Sequence, residues 1–246
     1  DPSGSVIVMA GGKHTAIILN NKLHQRVGNR IGEISSGEAC IKVIDKYIPA
    51  GAYKLTVDNV SRLSVGDNIE IRKPVTEKWI KFMKMDNLVR DGKAQTWIKA
   101  GKFLITERTI AAIDGNIITL TVPLIDCYDS NYTDDNTTIV VANNVGRLKQ
   151  CGVENIRIES PAQAVNHSKA LYYALRINGE DCWAKDINAM ETMESIGIGG
   201  RRITLQQVNV IRKALHQGAS KPAEFAPNGG QILLDRCSVE GDNIWF

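Results

Sequence analysis

Between residues 73 and 108, nine lysines and arginines stand against four acids, Glu77, Asp86, Asp91 and Glu107. Four aromatic side chains, Trp79, Phe82, Trp97 and Phe103, are interleaved with these charges. Aromatic faces stack on the apolar faces of sugar rings, and ammonium or guanidinium groups attract carboxylates and sulfates. Trp79 and Trp97 are therefore candidate substrate-binding residues. The same residues would also suit the core of a small β module whose lysine stems cover its solvated side. Two acid pairs, Glu191 with Glu194 and Glu240 with Asp242, are the groups glycoside hydrolysis needs, provided their carboxyls lie roughly 5 to 9.5 Å apart. Five cysteines leave at least one thiol unpaired, and no Cys/His pair has zinc spacing. His14, His24 and His167 have no partner pattern. No metal ligand set is assigned.

The elements that must hold such residues come from a repeat. Leu175, Ile177, Gly179, Cys182, Ile187 and Ala189 return after 21 residues as Ile196, Ile198, Gly200, Ile203, Val208 and Val210. Ile203, Leu205, Val208 and Val210 return after 29 as Ile232, Leu234, Cys237 and Val239, the excess fitting the polar stretch 214–227. Ile156 and Ile158 precede Ile187 and Ala189 by 31. Apolar residues alternate within each copy, which is strand spacing, and a period that varies by loop insertion marks a solenoid. No leucine-rich consensus is present. The fold expected is all-β, a parallel β-helix, taken as right-handed from the chirality of crossover connections. Cys182 and Cys237 fall in inward columns as small core residues. Asn188 with Asn209, and Asp186 with Gln207, form outward polar ladders at turns.

A second pattern runs from 47 to 140. Alternating strands at 53–57 and 65–71, and a hairpin around Asp114-Gly115-Asn116, are joined by tight turns and do not share the repeat. The organisation expected is a first coil or coils over 1–46, including 27–34, an inserted antiparallel β module over 47–140, and the main stack over 141–246. At 43% hydrophobic and 23% charged, the chain can bury a large core. A net charge of +3 without a recognisable motif argues against nucleic acid as partner, and the longest apolar runs are too short to span a bilayer. Asp1-Pro2-Ser3-Gly4 reads as the start of a processed or trimmed chain.

Val65-Gly-Asp-Asn-Ile-Glu-Ile-Arg72, Glu107-Arg-Thr-Ile-Ala-Ala-Ile-Asp-Gly-Asn116 and Gly152-Val-Glu-Asn-Ile-Arg-Ile-Glu159 resemble bacterial proteins of the pectate-lyase-like superfamily (pectin lyase fold). The resemblance covers most of the chain and implies a right-handed β-helix interrupted by a β module. The superfamily holds polysaccharide lyases, glycoside hydrolases, esterases, epimerases and phage tailspikes. No catalytic signature of a characterised branch is present. No aspartate set matches the calcium site of pectate lyases, so Ca2+ has no support in the residues and no cofactor is assigned. There is no Asn-x-Asp with a following Asp-Asp and Gly-His-Gly, the pattern of polygalacturonases. The chain stops at Asn243-Ile-Trp-Phe246 in mid-coil, which reads as truncation of the stack.

The resemblance points to an extracytoplasmic protein, secreted, periplasmic or at the cell surface, whose partner is a polysaccharide, an acidic glycan being favoured. A lyase needs a cation on the uronate carboxylate, a base for the C5 proton and an acid for the leaving oxygen. Lys213 and His216, where a coil ends and the eight-residue excess begins, are the candidate catalytic pair. Arg201, Arg202 and Arg212 are the candidate substrate-binding cations, all expected to face outward. Hydrolysis is the neighbouring chemistry. The competing class is a non-catalytic carbohydrate-binding or adhesion module of tailspike type. The residues leave the choice between enzyme and binding module open, and the oligomeric state with it.

Overall fold

The computed structural model describes residues 4–20, 30–32, 40–142, 146–164, 169, 171–214 and 223–241. The chain divides into two compact units, Asp1–Gly28 with Val145–Phe246, and Asn29–Asn144. Both are built of strands. The described residues include two short helices, Glu77–Phe82 and Ser130–Thr133, and no helix among them is long and apolar enough to cross a membrane.

The first unit is a parallel stack whose register follows the 21- and 29-residue shifts. The strands Tyr173–Met190 and Ile196–Ile211 pair from Leu175↔Ile196 to Met190↔Ile211. Each repeat has three segments. In the first, Ile17, Leu175, Ile196 and Phe225 lie in one row. In the second, Val153, Ala184, Leu205 and Leu234 do so, and in the third Ile7, Ile158, Ala189, Val210 and Val239. Side chains alternate across a strand, so one set from every segment points into a common core. Leu175, Ile177, Ile196, Ile198, Ile203 and Val208 are buried in it, with Ile232 and Cys237 packed against it. The inward placement of Cys182 holds as well.

Two bends recur in every repeat. Between the first and second segments, Gln150, Asp181, Arg202 and Gln231 have φ of 50° to 59°. Between the second and third, Asn155, Asp186, Gln207 and Arg236 have φ of 51° to 56°. A left-handed residue turns the strand sharply at a cost of roughly 1–2 kcal/mol where the side chain has a Cβ. Stacked polar groups offset part of that cost: Asn209 donates to Asn188 at 3.1 Å, and Ser238 donates to Asn209 at 2.8 Å. Just before the first bend, Gly179 and Gly200 lie in register. Gly200 has φ +87°, and a Cβ there would sit 1.9 Å from the Gly179 carbonyl oxygen. Gly229 stands in the same relation to Gly200, its Cβ position 2.2 Å from the Gly200 oxygen. This column is glycine because backbone lies directly on backbone.

The first repeat is interrupted at that column. Asn20 pairs with Asn178, and Lys149 bridges to Glu180. Where the next repeat passes with Gly179 alone, this one departs and returns after 128 residues, which hold the second unit. Its main sheet is antiparallel, in the order Ile41–Lys42, Thr138–Val141, Asn68–Pro74, Phe103–Asp114, Ile117–Leu120, Lys54–Thr56. Ile69, Ile71, Ile110, Ile118 and Ile139 are buried in its core. The strand Arg30–Gly32, assigned from sequence to the early coil, pairs antiparallel with Phe103–Asp114. Three residues carry too little alternation to reveal which sheet they join. The sequence sets the hairpin turn at Asp114-Gly115, with Ile113 and Ile117 on either side, and the turn sits one residue further along. Asp114 pairs with Ile117, leaving Gly115 and Asn116 as the turn, with Gly115 at φ +54° in the first central position that type II′ turns reserve for glycine.

Candidate functional site

Between its two bends, the second segment of each repeat turns every other residue outward. The inward partners Cys182, Ala184, Ile203 and Leu205 are buried. Their neighbours form an outward strip, Gly152 and Glu154, Trp183 and Lys185, Thr204 and Gln206, Leu233 and Asp235, one pair per repeat. Trp183 dominates it. A Cβ placed on Gly152 would fall 2.1 Å from Cε2 and 2.5 Å from Cδ2 of the indole, so the ring lies across the glycine of the preceding repeat. The indole Nε1 donates to Glu154 Oε1 at 2.6 Å, which fixes the ring in its plane. The side chain is still 36% exposed. Around it the charges are neutralised in pairs. Arg202 Nε meets Asp181 Oδ1 at 2.6 Å, Arg236 Nη2 meets Asp235 Oδ2 at 3.0 Å, and Lys185 Nζ lies 4.0 Å from Asp186. A flat aromatic platform fringed by hydrogen-bonding groups and little net charge suits a pyranose ring.

The arginines expected to face outward are spent on buried carboxylates. Arg201 is 1% exposed and its Nη2 lies 3.0 Å from Glu180 Oε2. Glu180 also meets Arg202 Nη2 at 2.7 Å, Arg147 Nη1 at 3.3 Å and Lys149 Nζ at 3.5 Å. Burial alone would push the Glu180 carboxyl up, but the hydrogen bond and charge of Arg201, with Lys149 and Arg202, bring it down to about 2. Arg212 is wholly buried, its Nε 3.4 Å from Glu224 Oε1 and its Nη1 donating to the Ala214 carbonyl at 2.9 Å. Burial pushes the Glu224 carboxyl up, against hydrogen bonds from the Ser195 hydroxyl and backbone N–H and the charge of Arg212. Arg201 and Arg212 are thus interior residues. A charge in a packed stack is tolerated only when paired, and the partner acid draws each arginine inward. Arg202 is the exception, half-exposed at the bend beside the strip.

Lys213 is exposed, and its backbone N–H donates to Glu191 Oε1 at 3.0 Å, with Ala214 N–H on Oε2 at 3.2 Å. The chain leaving the third segment is therefore tied to the Glu191 carboxylate. His216 and Asp242 lie outside the described residues, so the pairs proposed for them have no geometry. Glu194 contributes its carbonyl, which accepts from Arg176 Nη1 at 2.8 Å. In the second unit, Trp79 is half-buried with Lys73 Nζ 5.3 Å from its ring, whereas Trp97 is 74% exposed. No cluster of three or more His, Cys, Asp or Glu able to hold a metal occurs among the described residues. Trp183 was missed in the sequence, although its place between inward Cys182 and Ala184 already marked it as an outward aromatic.

No protein-family model matches the chain, and no curated protein matches it. Among solved structures, it is similar to the tailspike gp61 of Pseudomonas phage phi297, with a TM-score of 0.40 and 13% identity over 81% of this chain and 38% of that one. Tailspike gp49 of Pseudomonas phage LKA1 matches with a TM-score of 0.36 and 13% identity, over 96% of this chain and 52% of that one. The Gp54 tailspike of Acinetobacter baumannii bacteriophage AP22, solved in complex with A. baumannii capsular saccharide, matches with a TM-score of 0.41 and 12% identity. That match covers 96% of this chain and 46% of the tailspike, so the chain spans between 38% and 52% of the three proteins' lengths.

Proposed function

We propose that the first unit is a right-handed parallel β-helix that binds a polysaccharide along the outward strip centred on Trp183, and that the protein works outside the cytoplasm. The observation that carries this reading is the seat of Trp183. Its indole is laid over Gly152 and held by Glu154, so the platform exists before any ligand arrives and little rotamer entropy is lost on binding. Lys185, Thr204 and Gln206 are placed to hydrogen-bond ring hydroxyls. Arg201 and Arg212 cannot meet a glycan without abandoning Glu180 and Glu224, which argues against a uronate-binding cleft built on them. Because the strip's charges are paired, ring stacking outweighs charge in ligand choice here.

Affinity electrophoresis or calorimetry against a panel of neutral and acidic polysaccharides tests this. Trp183→Ala should weaken binding at least about tenfold, the scale of an aromatic anchor of roughly 1.4 kcal/mol or more, while the melting temperature changes little. Gly152→Val should do the same by lifting the indole from its seat. Unchanged affinity in both variants, or no binding by the parent to any glycan, would overturn the reading. Release of reducing ends, or absorbance near 235 nm from unsaturated uronates, would show that the protein cleaves its ligand.

A further inference from the structure

In the second unit the hairpin strands Asn68–Pro74 and Phe103–Asp114 pair right up to Pro74↔Phe103. Their connection nevertheless runs from 75 to 102, far longer than the two to five residues that close an ordinary hairpin. It is cinched at its base, where Val75 N–H donates to the Lys102 carbonyl at 2.8 Å and Gly101 N–H to that of Val75 at 3.0 Å. Beyond the base, the helix Glu77–Phe82 is followed by a small hairpin, Val89–Arg90 with Lys93–Ala94. Asp91 and Gly92 form its turn, both at positive φ. Of this whole excursion only Val75 and Ile80 are buried.

Its composition is unlike the rest of the chain. Seven Lys and Arg against three acids give residues 75–102 a net charge of +4, more than the +3 of the entire protein. Lys81, Lys84, Arg90, Lys93 and Lys99 are all exposed. Exposed with them are Trp97 at 74%, Val89 at 68% and Phe82 at 58%, the last with its ring 4.3 Å from that of Tyr132. Folding gains nothing by leaving an indole and this much like charge in water, so a long loop with both is a recognition element.

We propose that this excursion is a second carbohydrate site, specific for an acidic polysaccharide, in which Trp97 stacks on a sugar ring while the surrounding cations bind carboxylate or sulfate groups. Apolar side chains and cations are interspersed along the loop, as in Lys81-Phe82-Met83-Lys84, Val89-Arg90 and Trp97-Ile98-Lys99. A charged polymer of sugar rings offers both kinds of partner, a flat apolar ring face and an anionic group, within one unit. The sequence-based candidate Trp97 belongs to this site, and half-buried Trp79 does not present a comparable face. The site does not depend on the Trp183 strip.

Calorimetry on the whole protein would use polygalacturonate as the uronate probe, heparin as the sulfate probe, dextran as the neutral one, and duplex DNA and phosphatidylglycerol vesicles as other polyanions. The parent should bind at least one acidic glycan, and the affinity should fall steeply with salt. Trp97→Ala should weaken that binding about tenfold, and the double variant Lys93→Glu, Lys99→Glu by more, with melting temperatures kept because all three side chains are exposed. Trp183→Ala, by contrast, should weaken neutral-glycan binding while the Trp97 and lysine variants leave it intact, so the two sites can fail separately. The proposal is overturned if acidic-glycan binding survives both loop variants. It is also overturned if DNA or vesicles bind as tightly as the glycans and lose as much in the variants.

Discussion

Gly200→Ala should destabilise the stack by about 4 kcal/mol or more, at the extreme of what one methyl group does. Two costs combine. At φ +87° an L-residue is strained in itself. The larger cost is steric, since the new Cβ would meet the Gly179 oxygen at 1.9 Å and its nitrogen at 2.7 Å, both backbone atoms of a paired strand with no rotamer to change. Relief requires spreading two repeats that are hydrogen-bonded on either side. Gly199→Ala is the matched control, because its Cβ would meet only the end of the Asn178 side chain, at 3.0 Å. Guanidinium unfolding followed by circular dichroism should show Gly199→Ala near the parent and Gly200→Ala far below it or unfolded. Equal midpoints would mean that the repeats are not in close backbone contact there.

Glu180→Ala should cost about 3 to 5 kcal/mol at neutral pH, the usual consequence of removing one side of a buried ion pair. Arg201 and Arg147 are both interior and share this carboxylate, so the variant strands positive charge inside the stack. The loss should depend on pH in a definite direction. Glu180 titrates near 2 when folded, against an ordinary 4.5. A depressed carboxyl contributes stability above its unfolded pKa and loses it as pH falls toward the folded one. The difference corresponds to about 3 kcal/mol, fully present above pH 4.5 and fading between there and pH 2. The stability gap between parent and variant should therefore narrow on acidification. A gap of constant size from pH 7 to pH 2.5 would show that packing, and not the ion pair, sets the cost.

The stack was legible because its apolar residues sit at fixed intervals. Leu175 and Ile196, Cys182 and Ile203, and Ala189 and Val210 pair in the register that the 21-residue shift implies. The same shift places Glu180 beside Arg201, opposite charges one repeat apart, so the interior pairing of Arg201 is legible in the repeat itself. Arg212 had no such signal. Its partner Glu224 stands just before the Phe225 row, 12 residues further along the chain, so no repeat shift sets the two side by side. In the second unit the long strands were readable, whereas Arg30–Gly32 is placed by a partner some 70 residues away. Trp97 stood out as an aromatic among lysines. Trp183 carried the same kind of signal, since the inward column of Cys182 turns its neighbour outward, but it stands as a single aromatic with no cluster around it.

The interruption of the first repeat has a bearing on how such a protein can change over time. Asn20 and Lys149 sit at positions that the following repeat joins through one glycine, so the chain leaves the first unit and returns to it at adjoining points of one repeat. The extra residues of the later repeats likewise enter at one bend, between Met190 and Ile196 and between Ile211 and Phe225, and leave the columns beneath untouched. Residues can then be added or removed at two fixed ports while the columns keep their register. A frame built this way can vary in length and outline while its interior stays the same.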